Sequence, residues 1–226
     1  MTAPFSAAGF RRGARVGLAL SAAIFIYGLA FGLVAAQAGL SWAWALAMSV
    51  TVFSGSAQLA ALSLIQAGEA TLMTLAATVL VMNARYLLFG AAIQPWLSQA
   101  GPLRAFSSLL LIGDANWIAT MRAAEKGEAD RAFLIGTGVP LVGAWLGGTL
   151  VGVIFGAVLP DPRAFGADLA LPAFAAAMMA AMVRSRAALV PVAVGAGAAL
   201  AVGPFAGPGW GIVAAGLAGG AVAALT

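Results

Sequence analysis

Residues 16–38 read VGLALSAAIFIYGLAFGLVAAQA, an uncharged apolar stretch. A hydrocarbon core of about 30 Å is crossed by about 20 helical residues that rise 1.5 Å each, so this stretch is long enough to span a bilayer. It is also longer than the apolar core of about 7 to 15 residues that a signal peptide carries. The stretch therefore predicts a first membrane span rather than a cleaved leader.

The rest of the chain has the same character, with 63% hydrophobic and 8% charged residues. A soluble domain carries about a quarter charged residues, so such a chain cannot cover itself in water. Charges and turn residues divide it into apolar segments of membrane-spanning length. We predict an all-α integral membrane protein, a single transmembrane domain that bundles about eight helices at residues 16–38, 42–64, 71–93, 103–121, 133–159, 169–183, 187–202 and 209–225.

Glycine and proline punctuate these spans. Gly136, Gly138 and Pro140 predict that the fifth span is tilted or broken near its start. Interrupted spans in both halves leave room for interrupted helices and internal pseudo-symmetry, which many transporters have. Other glycines recur at spacing four and predict close helix packing; they are Gly28, Gly32, Gly148, Gly152, Gly156, Gly216 and Gly220.

The basic residues indicate an orientation, because cytoplasmic loops are enriched in Lys and Arg. With the N-terminus inside, only Arg104 and Arg163 lie outside and Arg85 lies within a span. The cytoplasmic set is then Arg11, Arg12, Arg15, Arg122, Lys126, Arg131, Arg184 and Arg186. This bias predicts that both termini are cytoplasmic.

Several function classes are disfavoured by composition. The chain has no His and no Cys, which removes imidazole and thiolate metal sites and His-based acid or base catalysis. Its net charge of +4 is scattered among helix ends instead of gathered on one face, so a nucleic-acid partner is not expected. With one deep carboxylate, Asp114, we expect no enzyme, no catalytic residue, no metal and no cofactor.

Polar residues within three of the predicted spans are the informative exceptions. The second span holds Ser54, Gly55, Ser56 and Gln58, and each of the next two holds a cluster at a similar depth; those residues are Asn83, Arg85 and Asp114. A polar group without a partner in hydrocarbon costs several kcal/mol, by an order-of-magnitude estimate. The coincidence in depth predicts one polar, substrate-binding site near the membrane midplane.

Two alternatives stay open at this site. Arg85 and Asp114 either line the transport path or form a structural ion pair, since a lone arginine in mid-span costs about 2.5 to 3.5 kcal/mol. Ser54-Gly55-Ser56 is either a point where the helix unwinds or a site of close helix packing. Asn83 and Arg85 lie two residues apart and cannot face one cavity on a regular helix, so one faces elsewhere or that helix is interrupted.

Five segments, in order, resemble the AzlC family, the large subunit of bacterial branched-chain amino acid exporters. They cover most of the chain, and they are GLAFG at 28–32, FSGSAQ at 53–58, NARYLLFG at 83–90, GD at 113–114 and DLALPAF at 168–174. The resemblance implies a permease subunit in the bacterial cytoplasmic membrane that exports leucine, isoleucine, valine or methionine. It also implies a small hydrophobic AzlD-like partner subunit.

The residues themselves are also compatible with functions other than the export of apolar amino acids. A midplane polar site also suits a passive channel for small polar solutes, and the glycine stripes suit a structural membrane subunit. A homo-oligomer is compatible with the same stripes. The lipid bilayer is the one partner that composition itself requires.

Overall fold

The computed structural model describes residues 4–68, 70–128, 130–158, 183 and 185–225. These residues fold into helices, with no strand among them, which confirms the predicted all-α class. Most of the predicted span 169–183 and the segment 168–174 lie outside the described residues. The chain divides into two compact units, residues 1–170 and 171–226, and the single transmembrane domain stays a prediction.

The helices are numbered in chain order over the described residues. Unit 1 contains α1 (Ala7–Gln37), α2 (Trp42–Val52), α3 (Gly55–Ala67), α4 (Leu72–Asn83), α5 (Arg85–Leu97), a 3₁₀ turn (Ser98–Ala100), α6 (Pro102–Leu109), α7 (Asp114–Glu125) and α8 (Ala132–Val158). Unit 2 contains α9 (Leu189–Ala206) and α10 (Pro208–Leu225).

Helices α1 and α8 pack side by side along their whole length. A Cβ added to Gly13 would lie 2.2 Å from the Phe133 carbonyl oxygen, and one added to Gly32 would lie 2.2 Å from that of Thr149. Such contacts need glycine, because the two backbones touch directly. The contact positions rise together along both helices, so α1 and α8 run parallel. The predicted packing of Gly28, Gly32, Gly148 and Gly152 is confirmed.

Parallel helices require the chain to travel from one end of unit 1 to the other an odd number of times between them. The helix Leu72–Ala100, which comprises α4, α5 and the 3₁₀ turn, makes this passage in 29 residues. Its C-terminal end lies beside the N-terminal end of α8, where the Trp96 indole donates a hydrogen bond to the Glu128 carbonyl oxygen at 3.0 Å. We call α4–α5 the through-helix.

Helices α2 and α3 form a hairpin instead of the single span predicted at residues 42–64. The Gln58 amide nitrogen lies 3.1 Å from the Ser49 hydroxyl, yet residues nine apart on one straight helix are separated by about 13.5 Å. The chain reverses at Phe53, which adopts a left-handed conformation (φ +40°). Ala45 and Leu62 then pack in one cluster with Phe31 near the C-terminal end of α1, so both ends of this hairpin lie there.

Helices α6 and α7 form a second hairpin, so the single span predicted at residues 103–121 is also wrong. Arg104 at the start of α6 lies 5.2 Å from the Phe5 ring at the N-terminal end of α1. The chain after α7 returns to the same end, where Arg12 pairs with Glu128. Arg104 is therefore on the N-terminal side, which corrects the prediction that it lies outside with Arg163. Arg163 is not among the described residues.

Helix α8 runs unbroken through Gly136, Gly138 and Pro140, so the predicted break is absent and the alternative, a tilt of this span, stays a prediction. In unit 2, α9 and α10 pack antiparallel, with Gly195 against Ala215 and Gly211 against Ala199. Gly216 and Gly220 have no described residue within 4 Å of an added Cβ, so close packing at these two glycines, within the chain or against a partner, stays a prediction.

Four helices of the described residues are long and apolar enough to cross a membrane. They are Ala7–Gln37, Leu72–Ala100, Ala132–Val158 and Leu189–Ala206. The chain is thus a helical membrane protein in which two hairpins, entering unit 1 from opposite ends, replace two of the predicted spans. At 11 and 13 residues, α2 and α3 are each shorter than the roughly 20 residues that a crossing needs.

Candidate functional site

The tips of the two hairpins meet inside unit 1. A Cβ added to Gly113, at the tip between α6 and α7, would lie 3.8 Å from the ring of Phe53, at the tip between α2 and α3. Arg85, near the middle of the through-helix, reaches both tips. Because each tip is a break between two helices, the first turns of α3 and α7 both begin here.

Arg85 joins the two hairpins through one guanidinium nitrogen. Its Nη2 lies 3.0 Å from Asp114 Oδ2 and 3.1 Å from Ser56 Oγ, and its guanidinium carbon lies 5.4 Å from the Tyr86 ring centroid. The side chains of Arg85 and Asp114 are 35% and 32% exposed. The structure therefore brings Ser56, Arg85 and Asp114 together, and their role in binding a substrate stays a prediction.

Asp114 is placed where a helix favours an anion. It is the first residue of α7, and the N-terminal end of a helix carries a partial positive charge. Asn116 stabilises the tip behind it, since its Oδ1 accepts a hydrogen bond from the Gly113 backbone at 2.6 Å and its Nδ2 donates to the Leu111 carbonyl at 2.7 Å. Asn116 is thereby a structural residue of the tip.

Ser54 and Gly55 begin α3 on the other side of the pair. Ser54 is the N-cap residue, but its side chain makes no capping hydrogen bond, and its buried Oγ has no partner among the described residues. A Cβ on Gly55 would lie 2.6 Å from the Tyr27 ring and 2.8 Å from the Trp145 ring. Unwinding and close packing, which the sequence left as alternatives, both occur at this tip. The first amides of any α-helix have no partner within that helix, so those of α3 are hydrogen-bond donors at this tip.

Asn83 is not joined to the pair. The through-helix tightens at Ala84, whose amide bonds to the Val81 carbonyl and whose carbonyl accepts from Leu87, both three residues away. Asn83 Oδ1 is buried and makes no hydrogen bond with the described residues. The helix is therefore locally irregular between Asn83 and Arg85, and among the described residues it is Arg85 that bonds to the two hairpin tips.

Gln58 belongs to a second polar cluster. Its amide nitrogen bonds to Ser49 Oγ, which in turn lies 3.2 Å from Thr149 Oγ1 on α8. The three side chains have no exposed surface. Sequence reasoning missed Ser49 and Thr149, although each interrupts an apolar helix with a hydroxyl. Gln58 thus points towards α2 and α8, away from the Arg85 pair.

Polar contacts also tie the N-terminal ends of α1 and α8. Arg12 donates two hydrogen bonds to Glu128, at 2.8 and 2.9 Å, and this guanidinium holds the pKa of Glu128 below its usual range. Asp130 accepts hydrogen bonds from the backbone and hydroxyl of Ser6 and from the Ala132 amide. Burial alone would raise the pKa of Asp130, but these bonds outweigh it and lower that pKa. We call these residues the N-terminal latch.

The family model described as AzlC protein matches residues 19–159, more than half of the chain. The chain belongs to the AzlC family. The AzlC match begins within α1 and ends just after α8, so it contains both hairpins, the through-helix and the Arg85–Asp114 pair. No curated protein and no solved structure matched the chain. Membership of the AzlC family, together with the long apolar helices, indicates that the chain is a membrane protein with a transport-related role.

Proposed function

We propose that this chain is the large permease subunit of a secondary transporter that exports branched-chain or other apolar amino acids. The observation that carries the proposal is the Arg85–Asp114 pair, which joins two hairpin tips while about a third of each side chain stays exposed. An apolar amino acid is a zwitterion, with one anionic and one cationic group. The pair offers one partner for each.

In this mechanism the substrate replaces the internal ion pair. Its carboxylate binds the guanidinium of Arg85 and the free amides in the first turn of α3, as positive helix ends bind anionic substrates in transporters with broken helices. Its ammonium binds Asp114. Without substrate, Arg85 and Asp114 neutralise each other, so neither charge is left alone in the membrane. Ser56 keeps a hydrogen bond to Arg85 that positions the guanidinium between the tips.

The proposal also covers the membrane in which the protein lies, its orientation there and its partner subunit. We place it in the bacterial cytoplasmic membrane with both termini in the cytoplasm, acting with a small AzlD-like subunit and without catalytic chemistry. Every basic residue of unit 1 that the structure describes, apart from Arg85, lies towards the N-terminal end of α1 or the loops beside it. That distribution supports a cytoplasmic N-terminus. Cells lacking the protein should accumulate leucine and methionine when they are fed dipeptides of these residues.

The deciding experiment separates a substrate site from a static ion pair. Arg85→Gln and Asp114→Asn each leave one charge alone, so both single variants should insert poorly and lose export by at least about tenfold. The double variant removes both charges and should insert at the parent level, yet still fail to export leucine. Ser63→Ala is the matched control, because that hydroxyl is exposed on α3 and bonds only to the Ala60 carbonyl of its own helix.

Export by the double variant at the parent rate would mean that neither charged residue handles substrate. Flux that follows the concentration gradient alone, unaffected by the proton gradient, would favour the passive channel instead. A double variant with normal insertion and no export supports the zwitterion site.

A further inference from the structure

The face of α1 that points away from α8 is exposed over the N-terminal part of the helix. Gly13 and Gly17 contact the backbone of α8, and a helix with 3.6 residues per turn places another row of side chains on the opposite side. Two members of that row, Leu18 and Ile26, are 65% and 64% exposed. We call the row the α1 stripe, and its exposed members are Arg11, Arg15, Leu18, Ala22 and Ile26.

The length of the α1 stripe matches one leaflet of a bilayer. Arg15 and Ile26 are separated by about 16 Å along the helix axis, at 1.5 Å per residue. Half of a hydrocarbon core of about 30 Å is about 15 Å. Further along the same face Leu33 is buried, so the exposed part ends before it. The stripe thus has charge at one end and apolar side chains over the depth of a single leaflet.

The two arginines of the α1 stripe lie next to each other without an ion pair. Arg11 and Arg15 are four residues apart and on the same face, where like charges repel. The nearby acids are engaged elsewhere, since Glu128 pairs with Arg12 and Asp130 accepts hydrogen bonds from Ser6. Among the described residues, no acid pairs with either arginine of the stripe. The two guanidinium groups therefore attract an anion from outside the described chain.

The combination of charge and apolar surface selects the kind of anion. An anionic phospholipid has a phosphate for the guanidinium groups, which bind phosphate through paired hydrogen bonds, and acyl chains for the apolar side chains below them. Free phosphate would match the arginines and leave the apolar part uncovered. A packed apolar helix would cover that part and leave the arginines without an anion. Basic residues at the ends of membrane helices are also where anionic lipids concentrate.

We propose that an anionic phospholipid binds the α1 stripe, with its phosphate between Arg11 and Arg15 and one acyl chain along Leu18, Ala22 and Ile26. Arg12 lies between the two arginines in sequence and belongs to the N-terminal latch. The bound lipid would thereby hold the end of α1 that the latch joins to α8. This lipid site rests on α1 alone and does not depend on which solute the protein carries.

The test uses the purified full chain in a neutral detergent with no amino acid present. Thermal unfolding is measured with phosphatidylglycerol and with phosphatidylcholine of the same acyl chains. Phosphatidylglycerol should raise Tm in a saturable way, by about 3 to 6 °C at ten times its Kd, and phosphatidylcholine should not. Glycerol 3-phosphate, which has the charge without the chains, should give no shift. Native mass spectrometry of the parent should show phosphatidylglycerol retained in preference to phosphatidylcholine.

A matched pair of double variants connects the shift to the α1 stripe. Arg11→Gln with Arg15→Gln should weaken phosphatidylglycerol binding by about 30-fold, which leaves a shift below about 1 °C at the same lipid concentration. Arg122→Gln with Lys126→Gln is the control, because it removes two exposed positive charges at the same spacing from α7. This control should keep the parent shift.

Three results would each overturn the proposal. Equal Tm values of the parent in the two phospholipids would mean that the stripe does not select an anionic lipid. Equal loss of the shift in both double variants would mean that binding follows net charge alone. A full shift with glycerol 3-phosphate would mean that the site binds a free phosphate. Because no solute is present, failure of amino acid export would leave all these measurements unchanged.

Discussion

The contact between α1 and α8 makes a sharp prediction at Gly32. A Cβ at this position would lie 2.2 Å from Thr149 O, 2.8 Å from Val153 N and 2.9 Å from the Gly152 Cα. All three are backbone atoms, so no side chain can rotate away. Ordinary contact begins near 3.4 Å, and the two helices would have to separate locally by about 1.2 Å to accept alanine.

The size of the effect follows from two opposing contributions. Forcing a methyl group into a packed interior costs about 1 to 3 kcal/mol, and rigid backbone neighbours place this case at the upper end. Replacing a helical glycine by alanine returns about 1 kcal/mol of helix propensity. Gly32→Ala should therefore destabilise the protein by about 2 kcal/mol. Gly143→Ala on α8 meets nothing within 4 Å and should stabilise it by up to about 1 kcal/mol.

The assay is thermal unfolding of both variants in the same detergent, followed by loss of the monodisperse chromatographic peak. A difference of about 3 kcal/mol corresponds to Tm values about 6 to 12 °C apart, with Gly143→Ala the higher. Equal Tm values, or a more stable Gly32→Ala, would refute the parallel glycine contact. Without that contact α1 and α8 need not be parallel, and the chain between them need not pass from one end of unit 1 to the other an odd number of times.

Further predictions concern topology and acid stability. The chain has no natural cysteine, so single cysteines can report sidedness in intact cells. An impermeant maleimide should label Ala70→Cys and not Gln99→Cys, and the reverse pattern would restore the single spans at 42–64 and 103–121. Because the pKa values of Glu128 and Asp130 are lowered on folding, the N-terminal latch stabilises the protein above the unfolded pKa values and loses this effect as pH falls through the folded ones. Tm should drop below about pH 4, and Asp130→Asn should weaken that drop while lowering Tm at pH 7.

Much of the site could be predicted from the sequence, because a charged or polar side chain within an apolar segment needs an ion-pair or hydrogen-bond partner. A single arginine and a single carboxylate deep in apolar segments left few arrangements, and the structure joins Arg85 to Asp114 and Ser56. The break at Ser54-Gly55-Ser56 followed from small and polar residues within an apolar run. Asn83 could not be assigned in the same way, because one tightened turn at Ala84 changes which side its neighbour faces.

The hairpins could not be predicted, for a physical reason. Hydropathy sums the apolar character of a segment and is the same whether the segment crosses the bilayer or folds back at its centre. The reversal at Phe53 is visible only in contacts such as that between Ser49 and Gln58. The wrong side for Arg104 came from the same cause, since treating 42–64 as a crossing adds one passage before Arg104 and places that residue at the opposite end.

The bond between Arg85 and Asp114 also has an electrical consequence. A lone guanidinium carried through the membrane field would exchange about 2.3 kcal/mol with every 100 mV of potential. The paired side chains have no net charge, and a bound zwitterion adds none. In the proposed transport cycle, a shift of the hairpin tips that carries this pair is therefore electrically silent, and membrane voltage would act on it only through an ion that moves with the pair.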